Sequence, residues 1–409
     1  MRDTPVGVDS IFYGRNVDMF DITAYQDPDY YQLEETYTAE ERAVRDRVRA
    51  FMNTAVAPIA AKNWEEARFP FELLPGLAQL GIVGGTLKGY GCPGLSSMAY
   101  ALALQEIARV DGSLSTFLGV QTSLAMANIY AFGSEEQKQR WLPALARLEK
   151  IGAFGLTEPE IGSDAEHVKT VARRDGESYV LNGQKRWIGN GTIADVVIIW
   201  AKTEDGFGGF LVEKGTPGFE THIMTGKLAQ RAVWQAEIHL EECRVPAENR
   251  LPGIKLFRDT HETFKDARWS VACGVLGGAL GCYDIALRYT RQRKQFGRPL
   301  AAFQLVQAKL VEMLNEISKA QLVTRRVCEL RDSGKLTYAM ASLAKLNNAR
   351  TARQCALLAR ELLGGNGILH DYHVMRYLAD AEAAYTYEGT NEINTLIVGF
   401  DITGRQAFF

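Results

Sequence analysis

The 409-residue sequence has few of the residues that build metal, redox or disulfide sites. Its six cysteines include no C-x-x-C pair and its six histidines no H-E-x-x-H pattern, which favours neither a zinc site nor a redox dithiol and is typical of reduced thiols. Charge of one sign is not in excess, because 46 Lys and Arg stand against 49 Asp and Glu. We expect no bound metal and no general footprint for nucleic acid or an anionic membrane.

Long hydrophobic runs are also missing. The longest strictly apolar run is Met98–Leu104, and even with glycine counted Val271–Tyr283 falls short of the roughly 20 residues that a bilayer span needs. The first 30 residues contain several Asp and no Lys, unlike a transit peptide, and Gln406–Phe409 is not a peroxisomal address. We expect a cytoplasmic protein without a membrane span.

The remaining pattern predicts an α+β multidomain protein. Residues 1–37, rich in Asp, Tyr and Pro without periodicity, are expected to form an N-terminal arm. Residues 38–150 have apolar residues at helical spacing and open with a capping box, in which Thr38 is followed by Glu41. This stretch is predicted to be an N-terminal α domain.

The period shortens in the middle of the chain and lengthens again after it. Short apolar stretches between Gly, Asp and Pro predict a middle antiparallel β domain over residues 151–254, with a two-residue hairpin turn at Asn182-Gly183. Residues 255–409 are predicted to form a C-terminal long four-helix bundle. Its long helices are expected from Phe257 to Gln292, from Phe303 to Asp332 and from Thr337 to Leu363.

One glycine-rich segment matches a nucleotide-binding pattern. Lys88–Gly94 contains G-x-G-x-x-G, which in a Rossmann fold follows a strand and opens a βαβ unit. The segments after it have helical patterns instead, so we favour a turn between helices. A Rossmann enzyme that binds NAD is the weaker alternative.

Other segments have two interpretations each. Phe154–Asp164 either binds polar ligand atoms through Thr157 and Ser163 or is a plain connector. Trp187 either stacks on a flat ring or packs in the core. Arg291–Pro299 carries four cations, which either stabilise a helix C-terminus or bind phosphate.

Five motifs follow one another along the chain: Leu-Thr-Glu-Pro followed by Gly-Ser-Asp, Asn-Gly-x-Lys-x-Trp-Ile, Arg-x-Gln-Phe-Gly, Leu-Gly-Gly-Asn-Gly and Tyr-Glu-Gly-Thr. In this order they resemble the acyl-CoA dehydrogenase family of flavoproteins, which includes the acyl-CoA oxidases. The resemblance runs from about residue 30 onward and is strongest to glutaryl-CoA dehydrogenases and to short-chain acyl-CoA oxidases of plant peroxisomes.

The resemblance implies a reaction and a catalytic base. The family removes two hydrogens across the Cα–Cβ bond of a CoA thioester: a carboxylate takes the α-proton, and the β-hydrogen leaves as hydride to N5 of FAD. Glu388 matches the base of one subgroup, whereas the other subgroup's position holds Ala267, which cannot accept a proton. The enolate oxygen would accept hydrogen bonds from the backbone N–H of Glu388 and from the flavin ribityl 2′-hydroxyl.

The resemblance also implies ligand contacts and partners. The substrate would lie against Ser115, Ser163, Phe264, Arg268, Tyr387 and Gly389. FAD would contact Leu156, Thr157, Ser163, Trp187, Gly189, Arg293, Gln295, Phe296, Gln304, Glu361, Gly364, Gly365, Thr390 and Glu392. Because some of these look like residues that reach the FAD of a neighbouring subunit, we expect a homotetramer, a dimer of dimers. An electron-transfer flavoprotein is the expected electron acceptor.

Two departures from the family pattern bear on specificity. Gly189 stands where the family usually has a threonine that bonds flavin N5, and we expect it to open space there, as in the plant oxidases. Ser115 stands where glutaryl-CoA enzymes have an arginine that pairs with the distal carboxylate, and an unpaired buried carboxylate is costly. A short uncharged acyl chain is therefore favoured over glutaryl-CoA.

The leading hypothesis is an FAD-dependent short-chain acyl-CoA dehydrogenase of fatty-acid β-oxidation. An acyl-CoA oxidase that uses O₂ is the nearest alternative, and a glutaryl-CoA dehydrogenase is disfavoured by Ser115. A relative without activity, which uses the fold to bind a partner, is the third.

Overall fold

The computed structural model describes residues 19–407. Residues 1–18 of the expected arm, and Phe408 and Phe409 of the C-terminal sequence, lie outside the described residues. From residue 19 the arm runs along the folded body, with a 3₁₀ turn at Leu33–Thr36. It is held by hydrogen bonds such as that from Arg109 Nη1 to the carbonyl of Ile22 at 3.2 Å.

The N-terminal part is helical, as expected. The capping box is confirmed: Thr38 Oγ1 accepts the N–H of Glu41 at 3.2 Å, and the Thr38 N–H donates to the Glu41 carboxylate at 2.8 Å. Two π-helical segments, Met52–Val56 and Val120–Met126, lie between α-helices. The α-helices are α1 (Ala39–Phe51), α2 (Ala57–Glu66), α3 (Leu74–Gln79), α4 (Ser97–Val110), α5 (Gly112–Gly119), α6 (Ala127–Phe132) and α7 (Glu135–Ala146).

The glycine-rich segment is a turn between helices α3 and α4. Two-residue strands β1 (Lys88–Gly89) and β2 (Cys92–Pro93) pair antiparallel there, with Tyr90 and Gly91 at the turn. Tyr90 has φ +52° and Gly91 φ +77°, values that suit a tight hairpin. The turn interpretation is confirmed, and the Rossmann alternative is wrong because no βαβ unit surrounds this segment within the described residues.

The middle part is one sheet that is mainly antiparallel. Its order is β3-β6-β4-β5-β9-β8, and β7 pairs with β6. Strands β3 and β4 run parallel to β6, which the sequence pattern did not predict. The strands are β3 (Gly152–Gly155), β4 (Val171–Asp175), β5 (Ser178–Gly189), β6 (Val196–Thr203), β7 (Gly206–Glu213), β8 (Phe219–Ile223) and β9 (Gln235–Pro246).

The predicted hairpin at Asn182-Gly183 is wrong, because both residues lie inside the continuous strand β5. The register against β9 shifts between Leu181 and Gly183, which marks a bulge. Gly183 has φ +152°, and a Cβ there would lie 2.5 Å from Thr170 Oγ1. Asn182 bonds Glu242 across the bulge, donating to its carboxylate at 2.9 Å. The Asn-Gly pair therefore serves a close approach of chains and not a turn.

The C-terminal part is a bundle centred on α10, which packs against α8, α9, α11 and α12. The three long helices agree with prediction to within a few residues, except that a 3₁₀ turn, Phe257–Thr260, precedes α8. A small hairpin of β10 (Lys294–Gln295) and β11 (Arg298–Pro299) links α8 to α9. The helices are α8 (His261–Gln292), α9 (Gln304–Asp332), α10 (Tyr338–Leu362), α11 (Val374–Thr386) and α12 (Asn391–Thr403).

Helix α8 contains a long apolar stretch. Together with the turn before it, α8 is long and apolar enough to cross a membrane by length and composition. However, 78% of the 18-residue stretch that meets this test is buried inside the protein. Gly277 allows α4 to approach, because a Cβ there would lie 2.1 Å from the carbonyl oxygen of Gln105. Packing inside the protein therefore accounts for the apolar composition of α8.

The six cysteine thiols are free, and all except that of Cys92 are buried.

Candidate active site

Glu388 lies in a short non-helical segment between α11 and α12. Glu388 has φ +53° and Gly389 φ +79°, so the chain turns sharply here. Thr390 then caps α12, because its Oγ1 accepts the N–H of Ile393 at 3.2 Å. Carbonyl groups at such a junction have no partner within a helix and need other donors.

Side chains of α8 and α12 supply donors to this segment. Arg268, which is 6% exposed, donates from Nε to the carbonyl of Glu388 at 3.2 Å. Asn394 donates from Nδ2 to the carbonyls of Gly389 and Thr390, at 2.8 and 3.0 Å. A Cβ on Gly389 would lie 3.2 Å from Asn394 Nδ2 and 3.3 Å from Arg268 Nη2. Glycine is needed at this position both for its φ and for this close fit.

Lys345 of α10 supplies the third donor. Its side chain is fully buried, and Nζ donates to the carbonyls of Tyr385 and Gly389 at 3.2 and 2.8 Å. These carbonyls bracket Glu388. Burial lowers the pKa of Lys345 to about 8, against the opposing charge of Glu388.

The surroundings of Glu388 suit a proton acceptor. The residue is half-buried, and desolvation raises the pKa of its carboxyl, whereas the charges of Arg268 and Lys345 lower it. A raised carboxyl pKa brings the proton affinity of a base closer to neutral pH. The alternative position, Ala267, is 1% exposed and has no group that can accept a proton.

A cluster of neutral polar groups lies beside Ser115. Thr116 Oγ1 donates to Gln230 Oε1 at 2.8 Å, and Gln230 Nε2 donates to the Tyr387 hydroxyl at 3.3 Å. Ser115 faces α8, since its Oγ is 3.5 Å from where a Cβ on Gly274 would stand. The structure therefore brings Ser115 and Tyr387 into one region.

Phe264 is placed differently from the other expected substrate residues. It is 8% exposed and packs edge-on against Phe154 and Phe257, with ring centroids 6.2 and 5.9 Å apart. It thus forms part of the wall between sheet and bundle. Ser163 is exposed in the loop after β3.

The loop after β3 is fastened to strand β5. The Arg186 N–H donates to the carbonyl of Thr157 at 2.8 Å, and Lys185 Nζ donates to that of Leu156 at 3.1 Å. Trp187, the next residue of β5, is 54% exposed and has φ +63°. Leu156, Thr157 and Trp187 are therefore held close together, and Trp187 is not a core residue.

A buried ion pair fixes this loop. Lys185 Nζ lies 2.8 Å from Glu158, with the two side chains 0% and 4% exposed. Glu158 also accepts the N–H and the hydroxyl of Thr170, at 2.9 and 2.6 Å. Burial raises the pKa of Glu158, but these hydrogen bonds and Lys185 lower it overall. The carboxylate is fully used and is not a candidate base.

The expected space at Gly189 is absent. A Cβ there would lie 2.8 Å from Val120 Cγ2, so a valine from the π-helical segment Val120–Met126 fills the volume of the missing threonine. The expectation of an opening was wrong because Val120 occupies the space. Val120 is distant in sequence, so the pattern around Gly189 did not reveal it.

The other expected FAD residues lie on the surface of the bundle. Arg293, Gln295 and Gln304 are exposed, and Phe296 is 93% exposed. Gly364 and Gly365 follow α10 with open space beside them, and Glu361 forms an ion pair with Lys309 at 2.5 Å. Glu392 is exposed in the first turn of α12.

Sequence profiles of one family match most of the chain. The acyl-CoA dehydrogenase N-terminal domain matches residues 38–149, the middle domain 153–243 and the C-terminal domain 257–402. The chain belongs to the acyl-CoA dehydrogenase family. This agrees with the resemblance found in the sequence motifs.

Individual members of the acyl-CoA dehydrogenase family are similar over nearly their whole length. The short-chain specific acyl-CoA dehydrogenase of Clostridium acetobutylicum is 37% identical, covering 88% of this chain and 97% of that protein. A glutaryl-CoA dehydrogenase from Mycobacterium smegmatis, solved with FADH2, is 39% identical with a TM-score of 0.92, covering 94% and 100%. Butyryl-CoA dehydrogenase from Megasphaera elsdenii is 32% identical with a TM-score of 0.86, covering 90% and 98%.

The sequence motifs of the acyl-CoA dehydrogenase family did not point to every residue at this site. Lys345, Asn394, Gln230 and Val120 were not predicted. A signal existed for Lys345, because Ala341 and Ala349, one helical turn before and after it, predict an inward-facing position. The others lie outside the recognised motifs, and their roles depend on contacts between distant segments.

Proposed function

We propose that the protein is an FAD-dependent dehydrogenase that converts a short-chain acyl-CoA to the trans-2-enoyl-CoA, with Glu388 as the base. The observation that carries the proposal is the half-buried Glu388, whose carboxyl pKa is raised by desolvation and whose segment is held by Arg268 and Lys345. Within residues 19–407 the half-buried Glu388 carboxylate makes no hydrogen bond or ion pair, which leaves it available for reaction. The carboxylate of Glu158 is instead occupied by structural hydrogen bonds and by Lys185.

The residues around β5 fit FAD. Trp187 presents an exposed ring, Leu156 an apolar side chain and Thr157 a hydroxyl, and the three are held together by backbone bonds. A flat heteroaromatic ring with polar edges suits such a set. Bound FAD supplies the acceptor for the β-hydrogen, as hydride at N5.

The chain's own groups perform the proton transfer. Glu388 removes the α-proton of the thioester. Its backbone N–H donates to no acceptor within residues 19–407, and this supports a role as donor to the thioester oxygen. Loss of one such donor typically raises a barrier by about 2.7–4 kcal/mol.

The region of Ser115 supports a short uncharged acyl chain. Its polar neighbours Thr116, Gln230 and Tyr387 are neutral, and the carboxylate of Asp380 packs against Gly112, one turn before Ser115. A distal carboxylate would find no cation among these groups. We therefore propose that glutaryl-CoA is a poor substrate, although a glutaryl-CoA dehydrogenase is among the structural relatives.

Anaerobic mixing of the holoenzyme with butyryl-CoA tests the reaction. We expect loss of the oxidised flavin absorbance and formation of crotonyl-CoA, with little change for glutaryl-CoA. An unchanged flavin spectrum with straight, branched and dicarboxylic thioesters would refute the proposal.

The oxidase alternative is not favoured, because Val120 closes the space at Gly189. Exposure of the reduced product complex to air tests it. Rapid formation of stoichiometric peroxide would favour the oxidase instead.

We further propose that a homotetramer in the cytoplasm passes electrons to an electron-transfer flavoprotein. The outer face of the bundle supports self-association, since Phe296, Leu305 and Val311 are 93%, 81% and 64% exposed. Light scattering should give four times the chain mass, falling for Leu305→Glu. Leu228→Glu, at a leucine outside the bundle that is 75% exposed, is the control, and an unchanged mass for Leu305→Glu would argue against this face.

A further inference from the structure

Lys345 is a charged group in the interior of the C-terminal bundle. It is fully buried, and the described part of the chain gives its ammonium two backbone carbonyls but no ion-pair partner. A buried cation without a paired anion is costly. A neutral amide could serve as a donor to carbonyls, so tethering alone does not account for a lysine here.

The position of the ammonium supplies a reason for the charge. Its two acceptors, the carbonyls of Tyr385 and Gly389, lie three residues before and one residue after Glu388. The charges of Lys345 and Glu388 also act on each other: each shifts the pKa of the other toward the charged form.

We propose that Lys345 is a positioning residue for the catalytic step, fixing the Tyr385–Gly389 segment and keeping a positive charge beside the Glu388 carboxylate. It thereby holds Glu388 ionised and directed at the substrate before the α-proton is removed. This inference rests on the proposed role of Glu388 as base and goes beyond it, because it assigns part of the activity to a side chain that touches no substrate.

Other ionisable groups act on the same pair. Arg268 on α8 lowers the pKa of Glu388, and Glu392 on α12 raises that of Lys345. The pKa of Tyr387 is raised by burial and by the charges of Glu388 and Asp380. A test must therefore isolate Lys345 while leaving these groups in place.

Exchange of α-protons isolates the base from the flavin. Acetyl-CoA has α-hydrogens but no β-carbon, so the holoenzyme in D₂O can exchange them through Glu388 without hydride transfer. We would measure deuterium incorporation by mass spectrometry between pH 5 and 9, with bound flavin and circular dichroism recorded for each protein. The proteins are wild type, Lys345→Met, Lys345→Gln and the control Lys335→Met, an exposed lysine in the turn before α10.

The expected result is a shift of the pH midpoint. Without the neighbouring charge, Glu388 should ionise about one pH unit higher in both variants, so that exchange below the midpoint is about tenfold slower. Lys345→Gln keeps an N–H donor and should retain a higher plateau rate than Lys345→Met. Lys335→Met should match wild type. If Lys345→Met does not fold, Lys345→Gln alone decides the midpoint.

A midpoint and plateau equal to wild type, in variants that keep their flavin, would overturn the proposal, even if their thermal stability were lower. Glu388→Gln separates this failure from that of the proposed function. Exchange that persists in Glu388→Gln would remove Glu388 as the base, whatever the Lys345 variants do.

Discussion

Two buried lysines hold two loops of the site in different ways. Lys185 is paired directly with Glu158 at 2.8 Å, while Lys345, among residues 19–407, bonds only the carbonyls of Tyr385 and Gly389. Burial lowers the pKa of each to about 8. Both lysines are desolvated, but Lys185 binds a carboxylate in one loop and Lys345 binds backbone carbonyls in the other.

The difference separates a structural carboxylate from a reactive one. Glu158 accepts hydrogen bonds from Lys185, Thr170 and Lys169, so its charge is fully compensated. The charge of Lys345 lowers the pKa of Glu388, but the Lys345 ammonium bonds backbone carbonyls and not the Glu388 carboxylate. The carboxylate therefore stays available to accept a proton. The loop after β3 is held by an ion pair, and the base segment is held through its backbone.

Exchanging each carboxylate for its amide should separate the two roles most clearly. Glu388→Gln should lower kcat by about 10²–10⁴-fold or more, since a general base contributes about that much. Stability should not fall, because removing this carboxyl removes a desolvated charge. Stopped-flow flavin reduction and urea unfolding measure both. Glu382→Gln, at a half-exposed surface ion pair, is the control, and full activity of Glu388→Gln would end the assignment.

Breaking the buried pair should mainly cost stability. Glu158→Gln leaves Lys185 unpaired in the core and should lower the free energy of unfolding by about 3–5 kcal/mol. Lys150→Met, which breaks the exposed pair with Asp195, should cost about 1 kcal/mol or less. Urea unfolding of both variants provides the comparison. Equal losses would show that burial does not distinguish these pairs.

A methyl group should disturb the base segment through its backbone. Gly389→Ala forces a Cβ to within 3.3 Å of Arg268 and Asn394 at φ +79°, and we expect a loss of about 1–3 kcal/mol and a lower kcat. Gly404→Ala has a similar φ of +64° with open space around it, and should affect stability alone. A lower kcat in both variants would contradict this.

The smallest expected effect is a pH dependence of stability. The folded pKa of Lys345 is about 8, below its ordinary 10.5, so between these values the unfolded chain binds one more proton at this site. Stability of wild type relative to Lys345→Met should then rise with pH, by at most about 1.36 kcal/mol per pH unit. Urea unfolding at pH 8, 9 and 10 tests this. A difference that is flat or falls with pH would show that Lys345 stays protonated.

The sequence predicted the long elements and the motifs, because both depend on local patterns. Helices α8 to α10 extend over many turns, so their periodicity is clear even with uncertain ends. Thr38 and Glu41 form their capping box within a single turn. The Tyr-Glu-Gly-Thr motif pointed to Glu388 through family resemblance, and the structure adds its partners.

The predictions that failed concern positions whose structure depends on contacts between distant segments. Asn182-Gly183 has the composition of a turn, but the approach of Thr170 decides its conformation. Gly189 suggested a space, yet Val120 fills it. Lys345 is a lysine on a helix, which is normally exposed, and only packing against α8 and α12 makes it internal.

Helix α8 also has a consequence for synthesis of the chain. Its cover comes from α4, made earlier, and from α10, which ends only at Leu362. Until the ribosome has synthesised α10, the apolar face of α8 that packs against α10 is exposed to solvent. Chaperones that shield such surfaces should meet the nascent polypeptide in that interval, and release it once α10 has emerged.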